Sequence, residues 1–173
     1  VDQPESLQVV VMGVSGCGKS TLARALASAL AVDFVEGDDL HPPANVQRMR
    51  SGIALTDADR EDWLARIGAR LGDAHAQGRG LVVACSALKR RYRDQLRQHA
   101  PRLRLVHLHG DASLLADRLS RRSGHYMPPS LLPSQLDILE VPADDEDAVS
   151  LDIRMLPARQ IERALAALTG TAP

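Results

Sequence analysis

Eight residues near the start of the chain, Gly13-Val14-Ser15-Gly16-Cys17-Gly18-Lys19-Ser20, fit the spacing G-x-x-x-x-G-K-[ST] in full. The chemistry this pattern supports is phosphate binding. Glycines let backbone N–H groups curl around an anion, and a helix starting at the lysine adds its positive end. Lys19 would reach the β- and γ-phosphates of a nucleotide, and the Ser20 hydroxyl would ligate Mg²⁺. At average residue usage a chance match arises in well under about one chain in a hundred. Lys19 is also unusual by count. Of the 21 basic residues all but Lys19 and Lys89 are arginine.

A phosphate loop serves GTP switches and motor ATPases as well as kinases. Guanine is usually read by an N-K-x-D element, which is absent because Gly18 and Leu88 precede the two lysines. A motor ATPase places a carboxylate after its second core strand, whereas the apolar run Leu81 to Cys85 ends in Ser86-Ala87. A small kinase remains. It must hold an acceptor hydroxyl in line with the γ-phosphate, and Asp38 in Glu36-Gly37-Asp38-Asp39-Leu40-His41 is the candidate to orient that hydroxyl and take its proton. A plain turn acid is the competing reading of this Gly-Asp pair. His41, Arg48, Arg60, Lys89 and His125 flank predicted strand ends or loops and are candidates for reading a polar acceptor. Arg60 lies one turn before Trp63-Leu64 on the inward side of its helix. Lys89 stands at a predicted helix start, where a cation opposes the helix dipole and a ligand anion would offset it.

The elements that position these residues follow from hydrophobic periodicity. Leu7 to Met12, Phe34-Val35, Leu81 to Cys85, Leu103 to Leu108 and Val149 to Ile153 read as strands. Helical spacing runs through Leu22 to Leu30, Pro43 to Met49, the stripe Trp63, Leu64, Ile67 and Leu71 after a Thr56-Asp57 cap, Lys89 to His99, Ala112 to Arg121 and Ala158 to Leu168. Strands alternating with helices predict an α/β fold with a parallel sheet and crossover helices. The 173 residues fit one domain. Arg122 to Pro133, with Gly124 and three prolines, reads as a loop of the length of an active-site lid.

Composition narrows the class. Hydrophobic residues make up 45% and aromatics only 2%, so the core must be aliphatic. A net charge of -1 argues against nucleic-acid coating, and the short run Lys89 to Arg93 reads as a solvated basic helix. No apolar run approaches the roughly 18 residues of a membrane span. The polar, acidic start resembles no signal peptide, and two cysteines, Cys17 and Cys85, make no disulfide framework. A cytoplasmic protein is expected. Both thiols read as ordinary buried groups, against the alternative that Cys17, at a helix N-terminus, is redox-sensitive.

The blocks Gly37-Asp38-Asp39-Leu40-His41-Pro42, Asn45, Met49, Gly52, Leu55, Asp57, Asp59-Arg60 and Trp63-Leu64 resemble the gluconokinase family. So do Cys85-Ser86-Ala87-Leu88-Lys89 with Tyr92-Arg93, and Gly124-His125-Tyr126-Met127 with Ser134-Gln135-Leu136 and Leu139-Glu140. With the phosphate loop the resemblance covers about residues 8 to 168. It implies a three-layer P-loop kinase fold, with a mainly five-stranded parallel sheet flanked by helices, an acceptor region over about 38–78 and a lid over about 122–140. It implies phosphorylation of D-gluconate by ATP with Mg²⁺, and in many members a homodimer. By matching position, Gly13 to Thr21 (Gly13, Val14, Ser15, Gly16, Cys17, Gly18, Lys19, Ser20 and Thr21) bind ATP phosphates, and Asp38 serves the acceptor hydroxyl. His41, Arg60, Ser86, Lys89, His125 and Gln135 hold gluconate, with Arg48 standing where a lysine is common. Arg118 and Arg122 fall at adenine-side and lid positions, and Asp152 to Pro157 lies near the adenine pocket. Glu36 replaces a common aspartate, Tyr126 a phenylalanine, Asp62 a proline, and Val141-Pro142 a Pro-Pro pair. The alternatives are a kinase for another sugar acid or polyol such as shikimate, and a non-catalytic nucleotide-binding module.

Overall fold

The computed structural model describes residues 6–122 and 127–171. Five parallel strands form one sheet in the order β2-β3-β1-β4-β5: β1 (Gln8–Met12), β2 (Asp33–Glu36), β3 (Leu81–Ala84), β4 (Arg104–His109) and β5 (Val149–Asp152). β1 is central. Val10 pairs in register with Val83 of β3 and Leu105 of β4. Val9 and Val11 bury into one apolar cluster, Val10 and Met12 into another on the opposite face. Burial on both faces is why β1 and β3 read as unbroken apolar runs and not as alternation.

Helices cover both faces. The first cluster is filled from α1 (Lys19–Leu30), α5 (Ala112–Ser120) and α7 (Pro157–Thr169). The second is filled from α3 (Asp57–Ala76) and α4 (Arg90–His99). α3 presents Trp63, Leu64, Ile67 and Leu71 inward, as their spacing predicts, each almost wholly buried. Truncating one such residue, Ile67→Ala for instance, costs about 2–5 kcal/mol. Thr56 opens α3 with a capping box. Its hydroxyl accepts from the Asp59 N–H while the Asp59 carboxylate accepts from the Thr56 N–H.

Two local features depart from the sequence reading. After β2 the chain makes a 3₁₀ turn, Gly37–Leu40, before α2 (Pro43–Arg50). The predicted loop 122–133 is partly regular, with a 3₁₀ turn at Pro129–Leu131 and α6 (Leu132–Ile138) beginning inside it. The prolines misled the reading because a proline in the first turn of a helix lacks only an N–H that had no partner there anyway, so Pro133 starts a helix as readily as it breaks one. β1 sits where the chain goes first to one side of the sheet and later to the other, and the carboxyl ends of β1, β2 and β3 open onto one crevice, the usual ligand position of such sheets.

Candidate active site

The loop after β1 is set by close packing. A side chain at Gly13 would place its Cβ 2.6 Å from the Leu108 carbonyl oxygen and 2.7 Å from Cys17 Sγ, so only glycine fits. The Gly13 N–H donates to the Ser86 carbonyl at 3.3 Å and ties the loop to the segment following β3. Gly18, at a φ of 92°, caps α1 without a side chain, so the first-turn N–H groups remain available to an anion. Lys19 Nζ lies 3.2 Å from the Val14 carbonyl oxygen. The Ser20 hydroxyl donates to Glu36 Oε2 at the end of β2.

Opposite the loop stands the turn bearing Asp38. A Cβ on Gly37 would come within 2.3 Å of the Ala84 carbonyl oxygen, so the turn presses against the end of β3. Trp63 Nε1–H donates to the Gly37 carbonyl at 2.8 Å, anchoring the turn to α3. The His41 ring stacks on Trp63 with centroids 4.1 Å apart and planes 13° from parallel. Burial first, then the nearby Arg60 charge, push the His41 imidazole down to about 4, so it is neutral at pH 7. Arg60 is only 8% exposed, and its Nη1 donates to the Leu55 carbonyl at 2.7 Å and to the Tyr92 hydroxyl at 3.2 Å.

These groups converge on one cavity of about 40 Å³, room for about three waters. Among the sequence-predicted residues, Ser15, Gly16, Gly18, Lys19, Ser20, Asp38, His41, Arg60, Ser86, Arg122 and Gln135 line it. Gln135 reaches it from α6, and its Oε1 accepts from the Ser15 N–H of the loop at 2.7 Å. Gln135 Nε2 and the Ser15 hydroxyl both meet Met127 Sδ. A second cleft of about 320 Å³ borders Gly18 from the other side and is lined by Cys17, Thr21, Arg118 and the stretch 153–157. Arg118 donates to the Ile153 carbonyl there at 2.9 Å. This is the stretch expected near the adenine pocket.

Two predicted acceptor residues do not reach the cavity wall. Lys89 is the N-cap of α4, and Asp57 supplies the anion the helix start calls for, with Nζ and Oδ1 2.9 Å apart. Asp57 also accepts from Arg91 and the Tyr92 hydroxyl. Arg48 is 45% exposed and faces Asp59 at 3.6 Å. His125 lies outside the described residues. Cys17 and Cys85 are free and buried, and burial pushes the Cys85 thiol up to about 12, as expected of an unreactive buried thiol at that position.

Sequence reasoning assigned no site role to Glu36, Trp63, Met49, Leu55 or Met127. Trp63, Met49, Leu55 and Met127 line the cavity, and Met49 and Leu55 form a small apolar cluster with Leu131 beneath it. Trp63 had a signal, as the single tryptophan in an aromatic-poor chain. Among the described residues no group of three or more His, Cys, Asp or Glu could hold a metal alone, and no helix is long and apolar enough to cross a membrane.

Known proteins resemble the chain over most of its length. The AAA domain family matches residues 9–137. A gluconokinase of Gluconobacter oxydans is 55% identical over 141 residues, covering 82% of this chain and 79% of that protein. The thermosensitive gluconokinase of Escherichia coli is 41% identical over 83% of this chain and 78% of its own length. The crystal structure of a gluconokinase from Sinorhizobium meliloti is 48% identical, covers 98% of this chain and 95% of that one, and superposes with a TM-score of 0.87.

Proposed function

The chain belongs to the gluconokinase family, and from that premise we infer that it transfers the γ-phosphoryl group of ATP to a hydroxyl of D-gluconate, giving 6-phosphogluconate and ADP. The observation that supports this most is the meeting of the phosphate loop and the Asp38 turn on one cavity, with a buried arginine beside them.

In this reading the base of ATP lies in the 320 Å³ cleft against Arg118, and its phosphates pass Gly18 into the smaller cavity. The loop N–H groups and Lys19 hold the β- and γ-phosphates. A γ-phosphate oxygen takes the Ser15 N–H now given to Gln135 Oε1, and Gln135 turns to the acceptor. Gluconate lies between Asp38, His41, Arg60, Ser86 and Gln135 once these side chains part to admit it, because the cavity of about 40 Å³ is too small for it as it stands. The Arg60 guanidinium, already desolvated, suits a carboxylate. Arg48 and Lys89 stay outside this set while Asp59 and Asp57 hold them. The acceptor oxygen bonds to the γ-phosphorus, the bond from that phosphorus to the bridging oxygen of ADP breaks, and the hydroxyl proton passes to Asp38.

The donors around Ser20 fit Mg²⁺. A hydroxyl and the Glu36 carboxylate are hard oxygens already in contact, and Mg²⁺ is usually held by one or two such groups plus substrate phosphates. When bound there it neutralises charge on the β- and γ-oxygens. A cytoplasmic setting and a homodimer belong to the same proposal, the latter to be read from sedimentation.

A coupled ADP-release assay tests the function. Gluconate should drive ADP release, with shikimate, AMP and other sugar acids well below it and Lys19→Ala as the blank. ADP release that is indifferent to gluconate, or equal with shikimate, would overturn the assignment.

A further inference from the structure

Asn45 has no place in the chemistry described so far, although it is buried, at 5% exposed, directly behind the acceptor turn. Its Nδ2 donates to the Asp59 backbone carbonyl at 2.8 Å. A carbonyl only accepts, so this contact fixes which end of the amide carries the hydrogens. The same Nδ2 lies 3.3 Å from His41 Nδ1. An amide nitrogen offers hydrogens and no lone pair, so His41 Nδ1 must be the bare nitrogen and the ring proton must sit on Nε2. Trp63 fixes the plane of the ring by stacking on it, and is itself pinned through its bond to Gly37. Plane and tautomer are therefore both set from behind, while His41 lines the cavity in front.

We propose that Asn45 is a positioning residue for the acceptor: it locks His41 as the Nε2–H tautomer, so that the ring gives a hydrogen bond to an acceptor oxygen of the substrate and cannot compete for its proton. The substrate's identity rests on the gluconate reading; the tautomer does not. Burial and Arg60 keep the ring neutral across the neutral range, and with its bare Nδ1 turned to Asn45 the ring has no lone pair left for the acceptor's proton, which leaves that proton to Asp38. The charged groups that share the cavity with the ring are Arg60 on α3, Asp38 on the turn, Lys19 and Arg122, while Asp59 meets Asn45 through its backbone carbonyl and gives its carboxylate to Thr56 and Arg48.

Nitrogen-15 NMR of histidine-labelled wild type is the first test, with the His41 signals identified by their loss in His41→Gln. Nδ1 should show the shift of an unprotonated ring nitrogen and Nε2 that of a protonated one, unchanged from pH 6 to pH 8. A protonated Nδ1 would overturn the proposal without any variant. The second test is Asn45→Asp. A carboxylate facing Nδ1 draws the proton there and turns Nε2 into an acceptor. KM for gluconate at pH 8 should then rise by about tenfold or more, the worth of about one hydrogen bond, with kcat within about threefold of wild type. As pH falls and the ring gains its second proton, Nε2–H returns and the variant's KM should move back toward wild type, whose own KM stays flat. An unchanged KM, or a rise that ignores pH, means that Asn45 only packs. Wild type that fails to turn over gluconate would sink the functional reading alone, since the spectrum decides the tautomer independently.

Discussion

Glu146→Gln should destabilise the protein by about 3 kcal/mol at pH 7, and the loss should fade in acid. Glu146 sits in the short 3₁₀ turn Asp144–Glu146 and has a side chain only 1% exposed. Both its oxygens are taken by Arg93, which is fully buried, at 2.7 and 2.9 Å, and Oε1 also accepts from Arg97 at 2.7 Å. Burial alone would raise the Glu146 carboxyl; the hydrogen bonds from Arg93 and Arg97 outweigh it and bring the group to about 2 from an ordinary 4.5. At about 1.4 kcal/mol per decade of proton affinity, that fall is worth about 3 kcal/mol. Arg97 is 22% exposed, so solvent screening reduces its share and about 2 kcal/mol survives as charge pairing. Leaving the Arg93 charge buried without its partner restores the total to about 3 kcal/mol. The carboxyl is depressed in the folded state, so its contribution is complete above about pH 4.5 and disappears as pH falls through 2. Urea unfolding of both proteins between pH 2 and pH 7 checks this. The difference should be constant at neutral pH and shrink toward zero at pH 2. A loss under about 1 kcal/mol at pH 7, or one that persists undiminished at pH 2, would refute the reasoning. Activity should fall as well. Arg93 also donates to the carbonyls of Ala87 and Leu88, holding a turn in which Ala87 has a φ of 45° beside Ser86 at the cavity.

Lys19→Arg should lose at least about a hundredfold in kcat despite its kept charge, because a forked, planar guanidinium cannot follow a moving phosphoryl group as a single ammonium does. Near-normal ADP release would contradict that. Gln135→Glu should raise KM for ATP by about tenfold, since a carboxylate at the Ser15 N–H repels the γ-phosphate, whereas Gln135→Ala should leave KM for ATP nearly unchanged; equal effects of the two would rule out the repulsion. Mild oxidant should leave the rate of wild type intact, and Cys85 should react with a thiol reagent only on unfolding, as expected of a thiol pushed up to about 12; fast labelling in the native protein would show otherwise.

What was legible in the sequence was what is local in the sequence. The phosphate loop lies within eight residues and carries its geometry in its glycines. β1 and β3 announced themselves because burial on both faces makes strands uniformly apolar, and α3 because its cap and its stripe agree. Arg60 was placed inward by helical phase alone, and it is buried. The failures are contacts between distant segments. Glu36 meets Ser20 across 16 residues, Lys89 meets Asp57 across 32, and Gln135 meets Ser15 across 120. No periodicity reports such pairings, because each partner alone looks like a surface polar residue. At Lys89 the helix dipole points to a ligand anion, whereas the fold brings Asp57 from another helix of the same chain.

The use of arginine and lysine in this chain follows whether the partner stays. Arg93 spends its guanidinium on a carboxylate and two backbone carbonyls, none of which has reason to move. Arg60 is fixed to the Leu55 carbonyl and the Tyr92 hydroxyl by one nitrogen, leaving the rest of its fork for the cavity it lines. Such sites reward a rigid, preorganised donor. Lys19 instead rests on a carbonyl of its own loop, which in the proposed reading it leaves for ATP, an exchange that a flexible stem with a compact charge makes at little cost. Lys89 has the same mobility but a committed partner in Asp57, itself shared with Arg91 and Tyr92. If Lys89 serves gluconate at all, it does so only after that carboxylate lets it go, and Asp57→Asn would then lower KM for gluconate. If it is purely structural, the same change loosens the start of α3 and α4 and leaves KM where it was. The sign of one kinetic constant separates the two roles of the second lysine.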